Sequence, residues 1–130
     1  MSLQIDTRFS GGVAILDVAG RIVAGEETVA LRQALGESFE RGHRHILLNL
    51  EGVEYVDSAG LGELISAYAS IIRGGGTVLL LKPGRRFRDL LSLTRLDSVF
   101  VIEEDERRAL ASFTAAATAK NRDSLRNFTG

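Results

Sequence analysis

The stretch VEYVDSAGLGELI, residues 53–65, decides the fold, because it joins the end of a strand to the start of a helix. An acid and a hydroxyl, Asp57 and Ser58, stand at the expected helix N-terminus, where such side chains accept backbone N–H bonds. Gly60 and Gly62 follow, although each costs about 1 kcal/mol relative to alanine inside a helix. Glycines at these positions indicate that another backbone or a bulky partner approaches the helix start closely. From the residues alone, the segment is predicted to be an exposed contact surface.

Outward from this segment, strands and helices alternate along the chain. Residues 3–19 read as an antiparallel hairpin with a turn at residues 10–12, and SVFVI (98–102) is a further β-rich run. HILLNL (45–50) and TVLLLK (77–82) have the continuous apolar character of strands that are buried on both faces. Apolar residues recur at helical spacing between these strands. The helical patterns are Leu31, Leu35 and Phe39; residues 61–72; residues 87–94; and EEDERRALASFTAAATA (103–119).

The order of these elements, ββαβαβαβα, predicts the fold class. Strand alternating with helix is typical of an α/β domain with a mostly parallel sheet, right-handed crossovers and helices packed against the sheet. The N-terminal hairpin makes the sheet mixed, and about four helices are expected. A single domain over residues 1–117 accounts for these elements. The polar segment 118–130 has little periodicity and is predicted to be a flexible C-terminal tail.

Composition excludes several classes of function. The 130 residues are 45% hydrophobic and 25% charged with a net charge of −1, so no global field indicates nucleic acid or an anionic membrane. The absence of cysteine removes disulfides, thiol catalysis and thiolate metal sites. The N-terminus lacks a signal-peptide pattern, and the apolar runs are too short to span a bilayer. We therefore expect a cytoplasmic protein with no metal, cofactor, nucleic-acid partner or membrane span.

Ser58 allows an enzyme interpretation, in which His43 or His45 and an acid complete a nucleophilic triad. The nucleophile elbow G-x-S-x-G is absent, however, because the residue two before Ser58 is Val56. Both histidines stand at the start of the strand that ends near Ser58, so the sheet would keep them at its opposite end. The sequence therefore favours a protein that is not an enzyme.

Two further patterns have structural explanations. The glycines of RGGGTVLLLKPG (73–84) precede a strand, whereas a phosphate-binding loop follows a strand and opens a helix. A basic cluster surrounds the third helix, but its only aromatic, Phe87, already belongs to the helix stripe. This favours a solvated face or the rim of a partner contact over a nucleic-acid site. The members of the basic cluster are Lys82, Arg85, Arg86, Arg88 and Arg95.

The chain resembles the STAS domain of bacterial anti-sigma-factor antagonists over roughly residues 3–113. One specific part of the resemblance is the D-S-x-G-L-G motif within VDSAGLGELISAYASI (56–71). The second is the L-L-x-L-T-x-L-x-x-V-F-x-I stretch at residues 90–102. The resemblance implies a small mixed sheet with four helices and a domain that performs no catalysis of its own.

The resemblance also implies a function. Members of this family bind an anti-sigma factor that is also a serine kinase, and binding releases a sigma factor. The kinase phosphorylates the serine after the motif aspartate, here Ser58, which switches binding off, and a metal-dependent serine phosphatase reverses the modification. The implied partner-binding residues are Asp57, Ser58, Ala59, Gly60, Leu61 and Gly62, with Arg21 and Ile22.

Two departures from the family pattern leave the partner open. Ala59 replaces a second hydroxyl that related domains often carry, which leaves Ser58 as the acceptor. The loop after the second strand, often G-x-L-D, reads GRIV at residues 20–23. The alternatives are a scaffold component of a transporter-associated or stressosome-like assembly, and a small-ligand or nucleotide-binding module using the loops at 20–25 and 57–62. The sequence does not decide the oligomeric state.

Overall fold

The chain folds as five strands and five helices within residues 3–129, which a computed structural model describes. The side chains of Glu27 and of residues 127–129 are not described, and residues 1, 2 and 130 of the predicted domain and tail lie outside the described residues. The strands are β1 Leu3–Ser10, β2 Val13–Ile22, β3 His45–Val56, β4 Thr77–Leu81 and β5 Val101–Glu103. The helices are α1 Glu26–Glu40, α2 Ser58–Arg73, α3 Arg85–Leu93, α4 Glu106–Ala111 and α5 Ala115–Thr129.

The strands form one mixed sheet in the order β1-β2-β3-β4-β5. β1 and β2 pair antiparallel as the predicted hairpin, and all other neighbours are parallel. Because β2, β3 and β4 are parallel neighbours, their carboxyl ends meet at one edge, together with the connections to α1, α2 and α3. The predicted α/β class and the mixed, mostly parallel sheet are confirmed.

Apolar side chains cover both faces of the sheet, which is why its central strands read as continuous apolar runs. The larger cluster, with Leu48 and Leu80, lies against α1, α2, α3 and α5. The smaller cluster, with Leu47 and Leu79, lies against α4 through Ala109. Consecutive residues of β3 and β4 thus alternate between the two clusters.

Strand β5 is shorter than the run at residues 98–102 indicates. Val99 and Phe100 precede the strand and fill the larger cluster, with 5% and 3% of their surface exposed. The Phe100 ring lies 4.7 Å from the ring of Tyr68, whose hydroxyl donates a hydrogen bond to the Val99 carbonyl oxygen at 3.1 Å. These residues are apolar because they fill the core, not because they pair with β4.

The helix predicted over residues 103–119 is two helices, so the described chain has five rather than about four. α4 begins after Asp105, whose carboxylate accepts the N–H of Arg108 at 3.0 Å. Between the helices, Phe113 packs against the smaller cluster, with its ring 5.1 Å from that of His45. The chain leaves the helical path at this point because the Phe113 side chain turns to cover the sheet.

Most of the segment predicted to be a flexible C-terminal tail, residues 118–129, lies in α5. One apolar residue of this helix, Leu125, joins the larger cluster, and its other docking contacts are polar, which explains why it lacks an apolar stripe. Asn121 is fully buried, and its Oδ1 accepts the N–H of Val78 at 2.8 Å. The hydroxyl oxygens of Thr118 and Thr77 lie 2.6 Å apart. Asn121 thereby satisfies a backbone N–H of β4 next to the residues that β5 pairs.

One arginine links the N-terminal hairpin to α4. The Arg8 guanidinium donates hydrogen bonds to the carboxylates of Asp17 at 2.6 Å and Glu106 at 2.5 Å. The amide of Asn49 also donates to Asp17, at 2.7 Å. The hydrogen bonds from Arg8 are the main reason that the pKa values of Asp17 and Glu106 lie below their usual values.

We predict that acid weakens this link. A carboxylate whose pKa is lowered by folding stabilises the protein above its unfolded pKa, and this contribution is lost as pH falls through the folded pKa. The side chains of Arg8, Asp17 and Glu106 are 45%, 32% and 37% exposed. Solvent screening therefore limits the contribution near pH 7 to about 1 kcal/mol or less.

Arg8→Gln should accordingly lower the free energy of unfolding near neutral pH and have a smaller effect near pH 3, measured by urea denaturation. Arg85→Gln removes the same charge from a side chain that is 95% exposed and serves as the control. An equal loss from Arg8→Gln at both pH values would contradict the prediction.

Candidate functional site

The start of α2 stands at the carboxyl end of β3. Asp57 lies between the two elements and caps the helix, as one of the two side chains that the sequence offers for this role. Its carboxylate accepts the N–H of Gly60 at 2.7 Å, and its carbonyl oxygen accepts the N–H of Leu61 at 2.9 Å. Asp57 is therefore the N-cap of α2, and the Ser58 side chain does not cap the helix.

Ser58 is exposed in the first turn of α2. Within the described residues, its hydroxyl has no hydrogen-bond partner, and the N–H groups of Ser58 and Ala59 have no acceptor. Free N–H groups and the positive end of the helix dipole favour an anion at this place. A phosphate on Ser58 is thus compatible with the helix start.

The two glycines of α2 have different surroundings. A Cβ on Gly60 would lie 2.2 Å from the carbonyl oxygen of Ile22 and 3.1 Å from the Cα of Val23. The N–H of Asp57 donates to the same carbonyl oxygen at 3.3 Å, so the helix start packs directly on the end of β2. A Cβ on Gly62 would meet nothing within 4 Å, and Gly62 is exposed. The close approach expected from the sequence is made at Gly60 by the chain's own backbone, and Gly62 alone leaves room for a partner.

Three residues of the predicted partner surface are buried. The side chains of Ile22 and Leu61 are 0% and 1% exposed and belong to the larger core cluster, and Gly60 lies beneath the helix start. They support the surface from below and offer a partner no side chain. The accessible members are Asp57, Ser58, Ala59, Gly62 and Arg21.

Arg21, at the end of β2, contacts Tyr55, a residue that the sequence analysis did not include in the site. It pairs with Tyr55 in the β2–β3 register, and its guanidinium carbon lies 4.9 Å from the centre of the Tyr55 ring. Arg86, in the first turn of α3, approaches the same ring to 4.7 Å. The signal that could have found Tyr55 is an aromatic residue two positions before Asp57, at the carboxyl end of a parallel strand.

The two histidines lie far from Ser58. His43 precedes β3 and His45 opens it, whereas Ser58 follows the other end of this 12-residue strand. A strand of that length spans about 40 Å, so neither histidine can act as a base for Ser58. Among the side chains that the structure describes, no group of acidic or histidine residues could hold a metal ion. None of the helices described within residues 3–129 is long and apolar enough to cross a membrane.

Comparison with known proteins identifies the family. Residues 4–109 match the family described as the STAS domain. The chain belongs to the STAS domain family. A relative of this STAS protein, an anti-sigma F factor antagonist of Paenibacillus polymyxa, is 28% identical over 111 residues, which cover 85% of this chain and 94% of the relative.

Two solved structures share the architecture of this STAS protein. An anti-sigma factor antagonist from Mycobacterium paratuberculosis gives a TM-score of 0.72 at 27% identity, covering 85% of this chain and 93% of that chain. A crystal structure from Thermotoga maritima gives a TM-score of 0.74 at 26% identity, covering 82% and 92%. The STAS fold expected from the resemblance is therefore confirmed, and α5 lies beyond the residues that match the family.

Alanine at the two glycines should have opposite effects on stability. Gly60→Ala forces α2 away from the Ile22 carbonyl oxygen and is expected to cost at least about 1–3 kcal/mol, the range for overpacked sites. Gly62→Ala meets open space and should stabilise α2 by up to about 1 kcal/mol. Urea unfolding of both variants beside the wild type measures the difference. Equal effects at the two positions would show that the described packing at Gly60 is not what requires glycine.

Proposed function

We propose that this STAS protein is an anti-sigma-factor antagonist. It binds an anti-sigma factor of the serine-kinase type through the start of α2, and a sigma factor is thereby released. The observation that carries the proposal is the exposed, unpartnered Ser58 at an exposed helix N-terminus, within the described residues. The name of the Paenibacillus polymyxa relative, which matches over most of its length, supports the same role.

Gly62 supports a protein partner at this surface. Glycine inside a helix costs about 1 kcal/mol relative to alanine, and the space around Gly62 gives no structural reason for it. A residue that lowers the stability of its helix without improving the packing is expected at functional sites. A glycine on an exposed helix face lets the backbone of another protein approach closely. The contact surface accordingly comprises Asp57, Ser58, Ala59 and Gly62, held in place by Ile22, Gly60 and Leu61, with Arg21 beside it.

Phosphorylation of Ser58 is the proposed switch. A phosphate adds about −1.5 to −2 charges at neutral pH and three acceptor oxygens. The helix start tolerates an anion, so the domain stays folded. A docked partner, however, would have to accommodate a bulky dianion next to the Asp57 carboxylate, so its affinity falls. The anti-sigma factor would act as the kinase, and a metal-dependent serine phosphatase would restore the binding form.

This role requires no reaction at the domain itself and no cofactor, since the chemistry on Ser58 is supplied by the kinase and the phosphatase. The proposal also places the protein in the bacterial cytoplasm, where sigma factors direct transcription.

Ser58→Asp should abolish the recovery of a kinase-type anti-sigma factor from a host lysate, because it places a permanent negative charge at the contact. The full chain serves as bait, and mass spectrometry identifies the captured proteins. Ser58→Ala should retain the partner, and its binding should be insensitive to added ATP, because no phosphate can be attached. We expect at least a tenfold loss for Ser58→Asp, equivalent to about 1.4 kcal/mol.

The control is Ser70→Asp, which places the same charge on an exposed position of α2 about three turns away. Equal recovery of the anti-sigma factor by wild type and Ser58→Asp would refute the switch. Recovery of transporter or stressosome-like subunits alone would refute the antagonist role in favour of a scaffold.

A further inference from the structure

Two arginines and a tyrosine form a second feature at the carboxyl end of the sheet. Arg21 ends β2, Arg86 lies in the first turn of α3, and both guanidinium groups contact the ring of Tyr55 near the end of β3. We call these three side chains the arginine–tyrosine cluster. They come from three different elements, so the topology of the sheet, and not one local motif, brings them together.

The cluster holds two positive charges without a counter-ion. Arg8, Arg32 and Arg88 each form an ion pair with a carboxylate. Within the described part of the chain, no carboxylate lies within 4 Å of the guanidinium group of Arg21 or Arg86. Both arginines are exposed. Both guanidinium groups lie over the Tyr55 ring instead.

The placement of these charges contributes little to folding. A cation–π contact at an exposed site is weak, and the two guanidinium groups at one ring repel each other. Arg86 also stands at the positive end of the α3 dipole, where a basic side chain is unfavourable. An arrangement that folding does not favour, at the edge where the contact surface lies, indicates a role in binding.

A cavity beside the cluster limits what can bind there. It has a volume of about 140 Å³ and lies between the end of β3 and the start of α3, lined by residues 53–56 and 84–87. Pockets for small molecules and cofactors usually measure about 300–1,000 Å³. The space therefore suits side chains of another protein better than a nucleotide. Glu54 is the acid among the lining residues, and it is exposed.

We propose that the arginine–tyrosine cluster binds an acidic segment of the anti-sigma factor, one that presents aspartate or glutamate carboxylates. This inference rests on the proposed function and names the chemistry of the partner. Guanidinium groups bind carboxylates with paired, charge-assisted hydrogen bonds, and a tyrosine supplies rigid contact area. The backbone of Ile22, next to Arg21, packs on Gly60 and binds the N–H of Asp57. One partner therefore covers the cluster and the start of α2 together.

The first test uses an octapeptide of alternating glutamate and leucine, and its glutamine counterpart, titrated into the ¹⁵N-labelled full chain. The glutamate peptide should shift the amide signals of Tyr55 and Arg86. Arg21→Gln and Arg86→Gln should each weaken the binding of the glutamate peptide roughly tenfold, as for other lost charge pairs at an interface. The double variant should weaken it further. Arg73→Gln, which removes one positive charge from an exposed residue at the other end of α2, should change the affinity less than twofold, an effect of net charge alone.

Several results would overturn the inference. Equal losses of affinity in Arg73→Gln and Arg86→Gln would show that net charge, and not the cluster, attracts the peptide. Equal binding of the glutamine peptide would remove the role of the carboxylates, and unchanged signals at Tyr55 would place any binding elsewhere. Inorganic phosphate that shifts these signals at lower concentration than the glutamate peptide would assign the cluster to phosphate.

The second test uses the anti-sigma factor captured by the wild-type chain. The Arg21→Gln, Arg86→Gln double variant should bind it at least tenfold more weakly while unfolding at the same urea concentration as the wild type. A Ser58-dependent partner that binds the double variant normally overturns the inference and leaves the proposed function intact. Capture of no Ser58-dependent partner, with the glutamate peptide still selecting the cluster, overturns the proposed function instead.

Discussion

The contact between α2 and the end of β2 fixes the geometry of the functional surface. At Gly60 no side chain separates the helix from the Ile22 carbonyl oxygen, and the same oxygen accepts the N–H of Asp57. Helix and strand are thereby held at backbone distance, and the interior resists displacement because it is close-packed. The position of Ser58 relative to Arg21 follows from this contact, since both residues stand within two positions of the joined backbone.

The two-sided core determines where such a surface can form. Because apolar side chains cover both faces of β2, β3 and β4, the open places for recognition are the edges where strands give way to helices. Three such connections meet at the carboxyl end of the sheet. The start of α2 supplies the exposed hydroxyl of Ser58 there, and β2 and α3 supply the positive charges of Arg21 and Arg86. A free hydroxyl and a pair of positive charges thus lie at one end of the same scaffold.

The sequence predicts the parts of this fold that depend on local patterns. The alternation of apolar residues predicts the hairpin, and the continuous apolar runs predict the buried strands. The preference for an acid or a hydroxyl at a helix N-terminus predicts the start of α2. The strand predicted over 98–102 was too long because Val99 and Phe100 are apolar for packing and not for pairing. The sequence does not indicate α5, because hydrogen bonds from Asn121 and Thr118 and the single core residue Leu125 dock this helix, and they leave no periodic apolar pattern.

The candidate site is also predicted only where it depends on local patterns. The motif identifies Ser58 and Asp57, but some residues next to them in the sequence are buried and do not belong to the exposed surface. Whether Leu61 faces the core or a partner depends on tertiary packing. The meeting of Arg21, Arg86 and Tyr55 depends on two strands and a helix that are separate in the sequence. The sequence marks Tyr55 as an aromatic residue at the carboxyl end of a strand, but it does not show that Arg21 and Arg86 meet there.

The bond from Asn121 to Val78 has a consequence for how the protein behaves in a crowded cell. An open strand edge can pair with a strand of another molecule and begin aggregation. β5 covers only residues 79–81 of β4, and the Asn121 side chain occupies the N–H that precedes them. A helix whose residues look dispensable in the sequence therefore closes the outer edge of a central strand, and shortening the chain before α5 would leave that edge available to other chains.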